Sequence, residues 1–219
     1  MEPLKFGNLV WDIRKSEGLS GPGPNIFDPR NVQRLPGGDL RLEVTRRDGA
    51  WTCAELQTTE RLGLGVYQFW LVGRPDLLDP QLVLGFFPYP TSDVGPDGTH
   101  EIDIEFARWG DKAKPCGNFT VCPTVPKKPS TTHPFPIALT GDFTTHRITR
   151  RPDKLLFSSH HGHRELRDER GLIERWEFSG DLSSAPMPLH INFWLFQGKP
   201  PQNDKPAALT LRRFSFTPS

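Results

Sequence analysis

The segment THEIDIEFARW, residues 99–109, alternates acidic and apolar side chains one by one. Successive side chains of a β-strand point to opposite faces, so this alternation predicts a strand with one apolar and one acidic face. Acidic residues are uncommon in strands, and like charges on one face repel each other. The three acidic residues are Glu101, Asp103 and Glu105. Their face is therefore either a solvated surface or a reaction centre.

The same alternation recurs along the chain and predicts an all-β fold. The predicted strands are 39–47, 52–59, 65–72, 81–87, 100–106, 117–122, 146–150, 154–159, 188–196 and 208–216. Turn signals separate them, as in an antiparallel sandwich. We predict a β-jelly-roll sandwich of two curved antiparallel sheets, in which one concave face lines a cleft.

Composition supports one domain built from strands and loops. The chain has 219 residues with 23 prolines and 20 glycines, a density that interrupts long helices. The stretch 164–176 is the one that could form a short helix, and Gly171 breaks it. We find no internal repeat and no low-complexity linker. The prediction is a single domain over residues 1–219.

Charge and hydropathy exclude some classes of partner. The 27 basic and 26 acidic residues nearly balance, which gives no electrostatic basis for binding nucleic acid or an acidic membrane surface. No apolar run approaches the ~20 residues of a membrane span. The start, MEPLKFGNLVW, lacks the pattern of a signal peptide. Cys116 and Cys122 could pair in an oxidising compartment, leaving Cys53 over, or all three could be free thiols.

The acidic strand has a spacing that suits glycosidic bond cleavage. The alpha carbons of Glu101 and Glu105 should lie ~13 Å apart on an extended strand. Long side chains leaning inward over a curved strand could bring the carboxyls to the ~5–5.5 Å of a retaining glycosidase. Asp103 is shorter and can lie between them. Close carboxylates raise each other's proton affinity, so one can be an ionised nucleophile while another is a protonated acid.

Two other readings of the strand remain at this point. A solvent-facing acidic strand would need no function. Ca²⁺ prefers oxygen ligands, although side chains spread along a flat strand surround an ion poorly.

The sequence EIDIEF, residues 101–106, resembles the active-site strand of glycoside hydrolase family 16, the group of lichenases, laminarinases and xyloglucan endotransglycosylases. The family motif is Glu-x-Asp-x-Glu or Glu-x-Asp-x-x-Glu, and the shorter spacing here is like the lichenase and xyloglucan branches. Further segments resemble the family in the same order along nearly the whole chain. These segments are 21–32, 54–70, 84–90, 143–162 and 190–196.

The resemblance implies a concanavalin A-like jelly roll and retaining, endo-acting hydrolysis of a β-linked polysaccharide, expected to be a β-glucan. It also implies that Glu101 is the nucleophile and Glu105 the general acid and then base, with Asp103 tuning the pair. The implied substrate-binding residues are Glu55, Gln57, Phe87, Tyr89, Asn118, Asn192 and Trp194. Aromatic rings could stack on a pyranose, while amides and carboxylates bond to hydroxyls.

The chain departs from the family pattern at several positions, which leaves the polymer open. Thr99 stands where the lichenase branch usually has Trp, Gln57 where Arg often occurs, Leu64 where Tyr is usual, and Arg150 where Trp is common. The alternatives are a transglycosylase acting on the same polymers and a non-catalytic carbohydrate-binding jelly roll.

The remaining expectations concern ligands and location. We expect no required cofactor, while a structural calcium is possible on the convex side, as in many relatives. The histidines of SSHHGHRE, residues 158–165, are read as neutral surface residues rather than a zinc site. The basic cluster 149–154 is read as a solvated loop. The expected partner is a polysaccharide or oligosaccharide bound by a monomer, without nucleic acid or membrane, and a secreted or periplasmic location follows only from that substrate class.

Overall fold

A computed structural model describes residues 3–219 of the chain as two antiparallel sheets packed face to face. In spatial order, the first sheet contains β1 (Leu4–Phe6), β2 (Leu9–Ile13), β6 (Ala54–Leu62), β15 (Met187–Leu195), β8 (Leu82–Pro88), β9 (Ile102–Ala107), β10 (Gly117–Val121) and β11 (Thr131–Phe135). We call it the cleft sheet.

The second sheet covers the inner face of the cleft sheet, and we call it the back sheet. In spatial order, it contains β14 (Leu172–Phe178), β13 (Leu155–His161), β12 (Phe143–Arg150), β7 (Gly65–Val72), β16 (Ala207–Pro218), β4 (Leu40–Arg47) and β3 (Val32–Arg34), with β5 (Ala50–Thr52) paired to β4. Single 3-10 turns occur at Pro29–Asn31, Pro75–Leu77 and Phe196–Gly198. Within residues 3–219, no helix has the length and apolar character of a membrane span.

The core lies between the sheets because one side of most strands is apolar. In β9 the inward residues Ile102, Ile104 and Phe106 are at most 2% exposed, as the alternation predicted. Phe86 of β8 stacks on Phe69 of β7 across the interface, with ring centroids 4.5 Å apart. Since the apolar side chains of β9 are held in this core, its acidic side chains must face the other way.

Each of the ten predicted strands is present, with bounds that shift by a few residues. The stretch that could have formed a short helix does not: residues 164–171 form turns and irregular backbone, and Leu172–Phe178 is the edge strand β14. Among residues 3–219, six strands were not predicted: β1, β2, β3, β5, β11 and β14.

Two predictions about surface residues are also wrong. Arg150 is fully buried, and its guanidinium donates to Leu62 O, Tyr67 Oη, Ser183 O and Ala185 O. His160 is fully buried as well, between Ser158 and Arg147. In both cases nearby protein groups bond to most of the polar atoms of a side chain that the sequence alone suggests is solvated, although Arg150 Nε has no partner within the described residues. Cys53, Cys116 and Cys122 are buried free thiols.

The loop of residues 14–28, between β2 and the 3-10 turn Pro29–Asn31, closes over the end of β15, and we call it the wall loop. Its residues Ser20 and Asn25 bond to each other through their backbones, and the Asn25 side chain donates to Leu195 O at 2.8 Å. The start of the loop is fixed by the Arg14 N–H, which donates to Glu55 O at 2.9 Å. This loop therefore forms a wall above the outer face of the cleft sheet.

Candidate active site

A cleft of about 850 Å³ lies on the outer face of the cleft sheet. Strands β2, β6, β8 and β15 supply its floor, together with Glu105 of β9 and Glu101, which directly precedes β9. Arg14, Lys15 and Pro22 from the wall loop also line it. Many of the polar residues that line it belong to these strands, on the face that points away from the core.

The three acidic side chains lie in and under this cleft. Glu101 and Glu105 are half-buried and line the cleft, while Asp103 is only 5% exposed. Glu101 precedes β9 by one residue, but its carbonyl still accepts the Cys122 N–H at 2.9 Å, so the backbone is held to β10. The acidic face is therefore part of an enclosed site rather than a freely solvated surface.

Burial and mutual charge shift the proton affinities of all three carboxyls. Burial, followed by the charges of Asp97 and Glu55, raises the pKa of Glu101 to about 7, and a hydrogen bond with Asp103 partly offsets this rise. Burial and the charge of Glu101 raise the pKa of Glu105 to about 8. Burial and the two flanking glutamates raise the pKa of Asp103 well above its usual range, so it keeps the proton that it donates to Glu101.

Cross-strand pairing aligns several predicted residues in one row. Glu55 pairs with Asn192, Asn192 with Gly85, and Gly85 with Glu105. Directly paired residues point to the same face, so these side chains all project from the outer surface. A Cβ at Gly85 would lie 2.6 Å from Asn192 Oδ1, which means that the missing side chain leaves room for the Asn192 amide between Glu55 and Glu105.

Two buried polar atoms in this region have no partner within the described part of the chain. They are Asn192 Oδ1 and Trp194 Nε1, on residues that are 3% and 8% exposed. Both residues line the cleft. A buried polar atom without a hydrogen-bond partner costs ~1–3 kcal/mol of stability. A ligand with hydroxyl groups could recover this cost, because a hydroxyl can donate to Asn192 Oδ1 and accept from Trp194 Nε1.

Glu55 is held by two cationic or donor groups. Arg14 Nη1 donates to Glu55 Oε2 at 2.7 Å, and His190 Nδ1 lies 3.2 Å from Oε1. Glu55 is only 7% exposed, although it lines the cleft. Both of its oxygens are thus engaged by protein groups.

The aromatic side chains form one corner of the cleft. Phe87 is 8% exposed and stacks on His190, with centroids 5.4 Å apart and planes at 26°. Tyr89 lies against both rings, and burial together with a hydrogen bond to Asp97 raises the pKa of its phenol. Gln57 is exposed on the cleft lining.

Asn118 lies beside the site, where backbone carbonyls hold its side chain. It pairs with Glu105 and is 4% exposed, but it does not line the cleft. Its amide donates to the carbonyls of Ala107 and Cys116 at 3.1 and 3.2 Å. In this structure Asn118 therefore braces the end of the β9–β10 pair, and the sugar contact expected of it stays a prediction.

One group of ligand-type side chains occurs among residues 3–219. Ligand atoms of Glu101, Asp103 and Cys122 lie within 4.8 Å of one another. Calcium takes six to eight oxygen ligands, whereas this group offers two carboxyls that share a hydrogen bond and a thiol whose pKa is raised by burial. The donor set does not fit Ca²⁺, and the structural calcium expected on the convex side stays a prediction.

The cleft residues missed from the sequence include His190, Arg14 and Asp97. His190 shares a face with Asn192 and Trp194 through the two-residue period, so the alternation could have identified it. Arg14 and Asp97 lie in loops without periodicity, and only tertiary folding brings them to Glu55 and Glu101. No local sequence signal marks a loop residue that reaches a site from so far along the chain.

Comparisons with known proteins agree on the fold. No family model and no curated protein matches the sequence. A Bacillus licheniformis β-glucanase has a similar structure, with a TM-score of 0.72 and 18% identity over 100% of this chain and 95% of that chain. A glycosyl hydrolase family 16 protein of Mycobacterium smegmatis is also similar in structure. Its TM-score is 0.67, with 17% sequence identity over 92% of this chain and 89% of that chain.

A third similar structure is described as an immunostimulatory antigen and pseudo-β-1,3-glucanase of Mycobacterium tuberculosis. Its TM-score is 0.69 with 16% identity over 95% of this chain and 91% of that chain. Identity at this level carries information about fold alone. The predicted sandwich is thereby confirmed: the chain has the jelly-roll fold of the β-glucanases.

Proposed function

We propose that this chain is a retaining, endo-acting glycosidase of the glycoside hydrolase family 16 type, acting on a neutral β-glucan. The observation that carries the proposal is the pair of half-buried glutamates in the cleft, whose pKa values are raised to about 7 and about 8. Raised and unequal pKa values allow one carboxyl to ionise while the other keeps its proton. Similar β-glucanase structures support the choice of substrate class.

In the first step, the Glu101 carboxylate attacks the anomeric carbon as the bond to the departing oxygen breaks. Glu105 gives its proton to that oxygen, so the leaving chain departs as an alcohol. The product is a covalent ester between Glu101 and the sugar. Asp103 keeps its proton and donates a hydrogen bond to Glu101, which stabilises the negative charge that the nucleophile carries before attack and regains after release.

In the second step, the Glu105 carboxylate takes a proton from water, and the water oxygen attacks the anomeric carbon. The ester bond to Glu101 breaks, which restores both carboxyls to their starting states. Two displacements at one carbon retain its configuration.

The charge of the cleft favours a neutral polymer. Its ionisable lining is mainly acidic, and one of its two strong bases, Arg14, is paired with Glu55. The acidic lining residues are Asp12, Glu55, Asp97, Glu101 and Glu105. A sulfated or uronate-rich chain would meet like charges, which disfavour binding. Unmodified glucan carries no such charge.

The test is cleavage of a polysaccharide panel: lichenan, laminarin, xyloglucan and agarose. We expect new reducing ends from at least one glucan, an early fall in viscosity and, by proton NMR, a first-formed product of β configuration. Glu101→Gln is the matched inactive control, and Glu17→Gln, at a glutamate whose side chain is 93% exposed, should retain activity. Inversion at the anomeric carbon would refute the double displacement.

The panel also separates the alternatives. A transglycosylase would release few reducing ends and would elongate an added oligosaccharide acceptor. A non-catalytic module would bind a polymer without cutting it. This alternative is tested because one of the similar structures is described as a pseudo-glucanase. Binding with no cleavage of any polymer would overturn the enzymatic proposal.

A further inference from the structure

A continuous series of contacts fixes the imidazole of His190 in the cleft. Arg14 lies over the buried ring of Phe27, with its guanidinium carbon 4.2 Å from the ring centroid, and Arg14 Nη2 donates to Ser20 Oγ at 3.1 Å. The same guanidinium holds Glu55, and Glu55 in turn contacts His190 Nδ1. On its other side, the imidazole stacks on Phe87.

This arrangement fixes which nitrogen of His190 carries the proton. A carboxylate can only accept a hydrogen bond, so the Nδ1 that faces Glu55 must be the donor. In the neutral imidazole, Nε2 is then an acceptor. Nε2 has no hydrogen-bond partner within residues 3–219, and the residue lines the cleft.

The position of His190 suits a sugar next to the one that reacts. His190 lies on β15, and β8 separates β15 from the catalytic β9 in the sheet. Two strand spacings amount to ~10 Å, so the imidazole is too far away to touch the atoms that change bonds. It pairs with Gln57 on one side and Phe87 on the other.

We propose that His190 is a substrate-binding residue whose Nε2 accepts a hydrogen bond from a sugar hydroxyl, and that Glu55 and Arg14 are positioning residues behind it. The inference rests on the proposed function and revises one expectation, because Glu55 acts through His190 instead of bonding to sugar itself. Both Glu55 oxygens already have protein partners, which supports this division of roles.

Two amide substitutions separate the nitrogens of His190. Asn places a donor near the position of Nδ1 and removes the atom at Nε2, whereas Gln extends a polar group toward the position of Nε2 and loses the bond to Glu55. We expect His190→Asn to weaken oligosaccharide binding about 3- to 10-fold, the effect of one hydrogen bond. His190→Gln should recover part of that loss, and kcat should change less than KM in both variants.

Binding is measured by calorimetry with the oligosaccharide released from the best polymer, in a Glu101→Gln background that does not turn it over. His161→Asn, on the back sheet, is the matched control and should bind normally. Thermal unfolding checks that every variant is folded. Unchanged binding by folded His190→Asn would overturn the inference while leaving the proposed function intact.

A double-mutant cycle tests the role of Glu55. If Glu55 acts through His190, Glu55→Gln weakens binding in the parent but adds less than about 2-fold in the His190→Asn background. Equal losses in both backgrounds would mean that Glu55 bonds to sugar directly, which overturns the proposal.

Nitrogen NMR of the ligand-free protein gives a readout independent of activity. The chain has 7 histidines, and the His190 signals are those lost in His190→Asn. We expect the tautomer protonated at Nδ1, shifting toward Nε2 protonation in Glu55→Ala. A wild-type tautomer protonated at Nε2 would refute the inference, whereas absence of any polymer cleavage or oligosaccharide binding by wild type would instead refute the proposed function.

Discussion

At the scale of single residues, the site depends on placing three carboxyls where water cannot solvate all of their charges. Burial is the largest cause of the raised pKa of Glu101, Asp103 and Glu105. The charge of Glu101 raises the pKa of Glu105, so the pair loses its two protons in separate steps as pH rises. Activity should therefore be highest where Glu101 is ionised and Glu105 is protonated, between about pH 7 and about pH 8.

The nucleophile can be identified by chemical rescue. Glu101→Ala should lose hydrolysis, because no carboxylate remains to form the covalent intermediate. Added azide should enter the space left by the side chain and cleave an activated aryl glycoside, giving a glycosyl azide of inverted configuration. Product configuration by proton NMR is the measurement. Near-normal turnover by Glu101→Ala would show that the nucleophile is assigned to the wrong residue.

Glu105 should reduce stability at alkaline pH. Its folded-state pKa, about 8, lies above the ordinary value of 4.5, so folding takes up a proton between these values. The free energy of unfolding then falls as pH rises through this window. Gln does not titrate, so Glu105→Gln should lack this pH-dependent fall in stability. The difference between the Tm of the variant and that of wild type should therefore increase as pH is raised from 4.5 to 8.5.

Scanning calorimetry across this pH range measures the effect of Glu105→Gln. A chain of this size gains ~2–4 °C in Tm for each kcal/mol. Glu17→Gln, at a glutamate whose side chain is 93% exposed, is the control and should give a Tm difference that is flat with pH. A flat difference for Glu105→Gln as well would contradict the raised pKa.

At the scale of elements, neighbouring strands determine which side chains meet over the cleft. Gly85 is the central member of the row that runs from Glu55 through Asn192 to Glu105. Any side chain at position 85 would compete with the Asn192 amide for the same space, because its Cβ would lie 2.6 Å from Asn192 Oδ1. A glycine in mid-strand is costly for the strand but leaves this space open.

Gly85→Ala should therefore impair the site more than the fold. The added methyl group displaces the Asn192 side chain, and we expect KM to rise about 3- to 10-fold, as for loss of one hydrogen bond. In an Asn192→Ala background, the same substitution should have little further effect. Steady-state kinetics and thermal unfolding of the four variants form the test, and additive losses would contradict the proposed link.

At the scale of the whole molecule, a histidine is enclosed between the two sheets. His146 of the back sheet is fully buried, and its imidazole ring lies close to the rings of Phe86 and Phe106 of the cleft sheet. Its two nitrogens bond to Ser159 and Thr144 hydroxyls at 2.9 Å. Burial and the nearby His160 lower the pKa of His146 to about 3. The sandwich thus holds a neutral imidazole directly behind the acidic strand.

His146 should make the fold sensitive to acid. Between its folded-state pKa of about 3 and the ordinary value of 6.5, the unfolded chain binds a proton that the folded chain does not, so the free energy of unfolding falls as pH drops. His146→Leu should lessen this dependence, while costing ~1–3 kcal/mol for each hydroxyl left without a partner.

Tm measured from pH 4 to pH 7 tests the role of His146. The slope of Tm against pH should be smaller in His146→Leu than in wild type, whatever the absolute loss of stability. His161→Gln, at a histidine on the same sheet with partial exposure, is the control and should keep the wild-type slope. An unchanged slope in His146→Leu would contradict a neutral buried imidazole.

The sequence by itself determined ten of the strands and which residues share a face in them, because alternation is a local property that requires no knowledge of neighbours. It thus separated Ile102, Ile104 and Phe106 from the acidic residues between them. Polar residues such as Arg150 and His160 were misread as solvated, since burial of a polar group depends on partners that folding brings from distant segments.

Only the tertiary structure decided what surrounds the acidic strand. The wall loop brings Arg14 to Glu55, and pairing of β15 with β6 and β8 places His190 between Glu55 and Phe87. Removal of the carboxyls from water, which raises their pKa, is likewise a result of packing. Electrostatic and hydrogen-bonding environments are sums over neighbours in space, and a linear sequence does not specify these neighbours until the chain has folded.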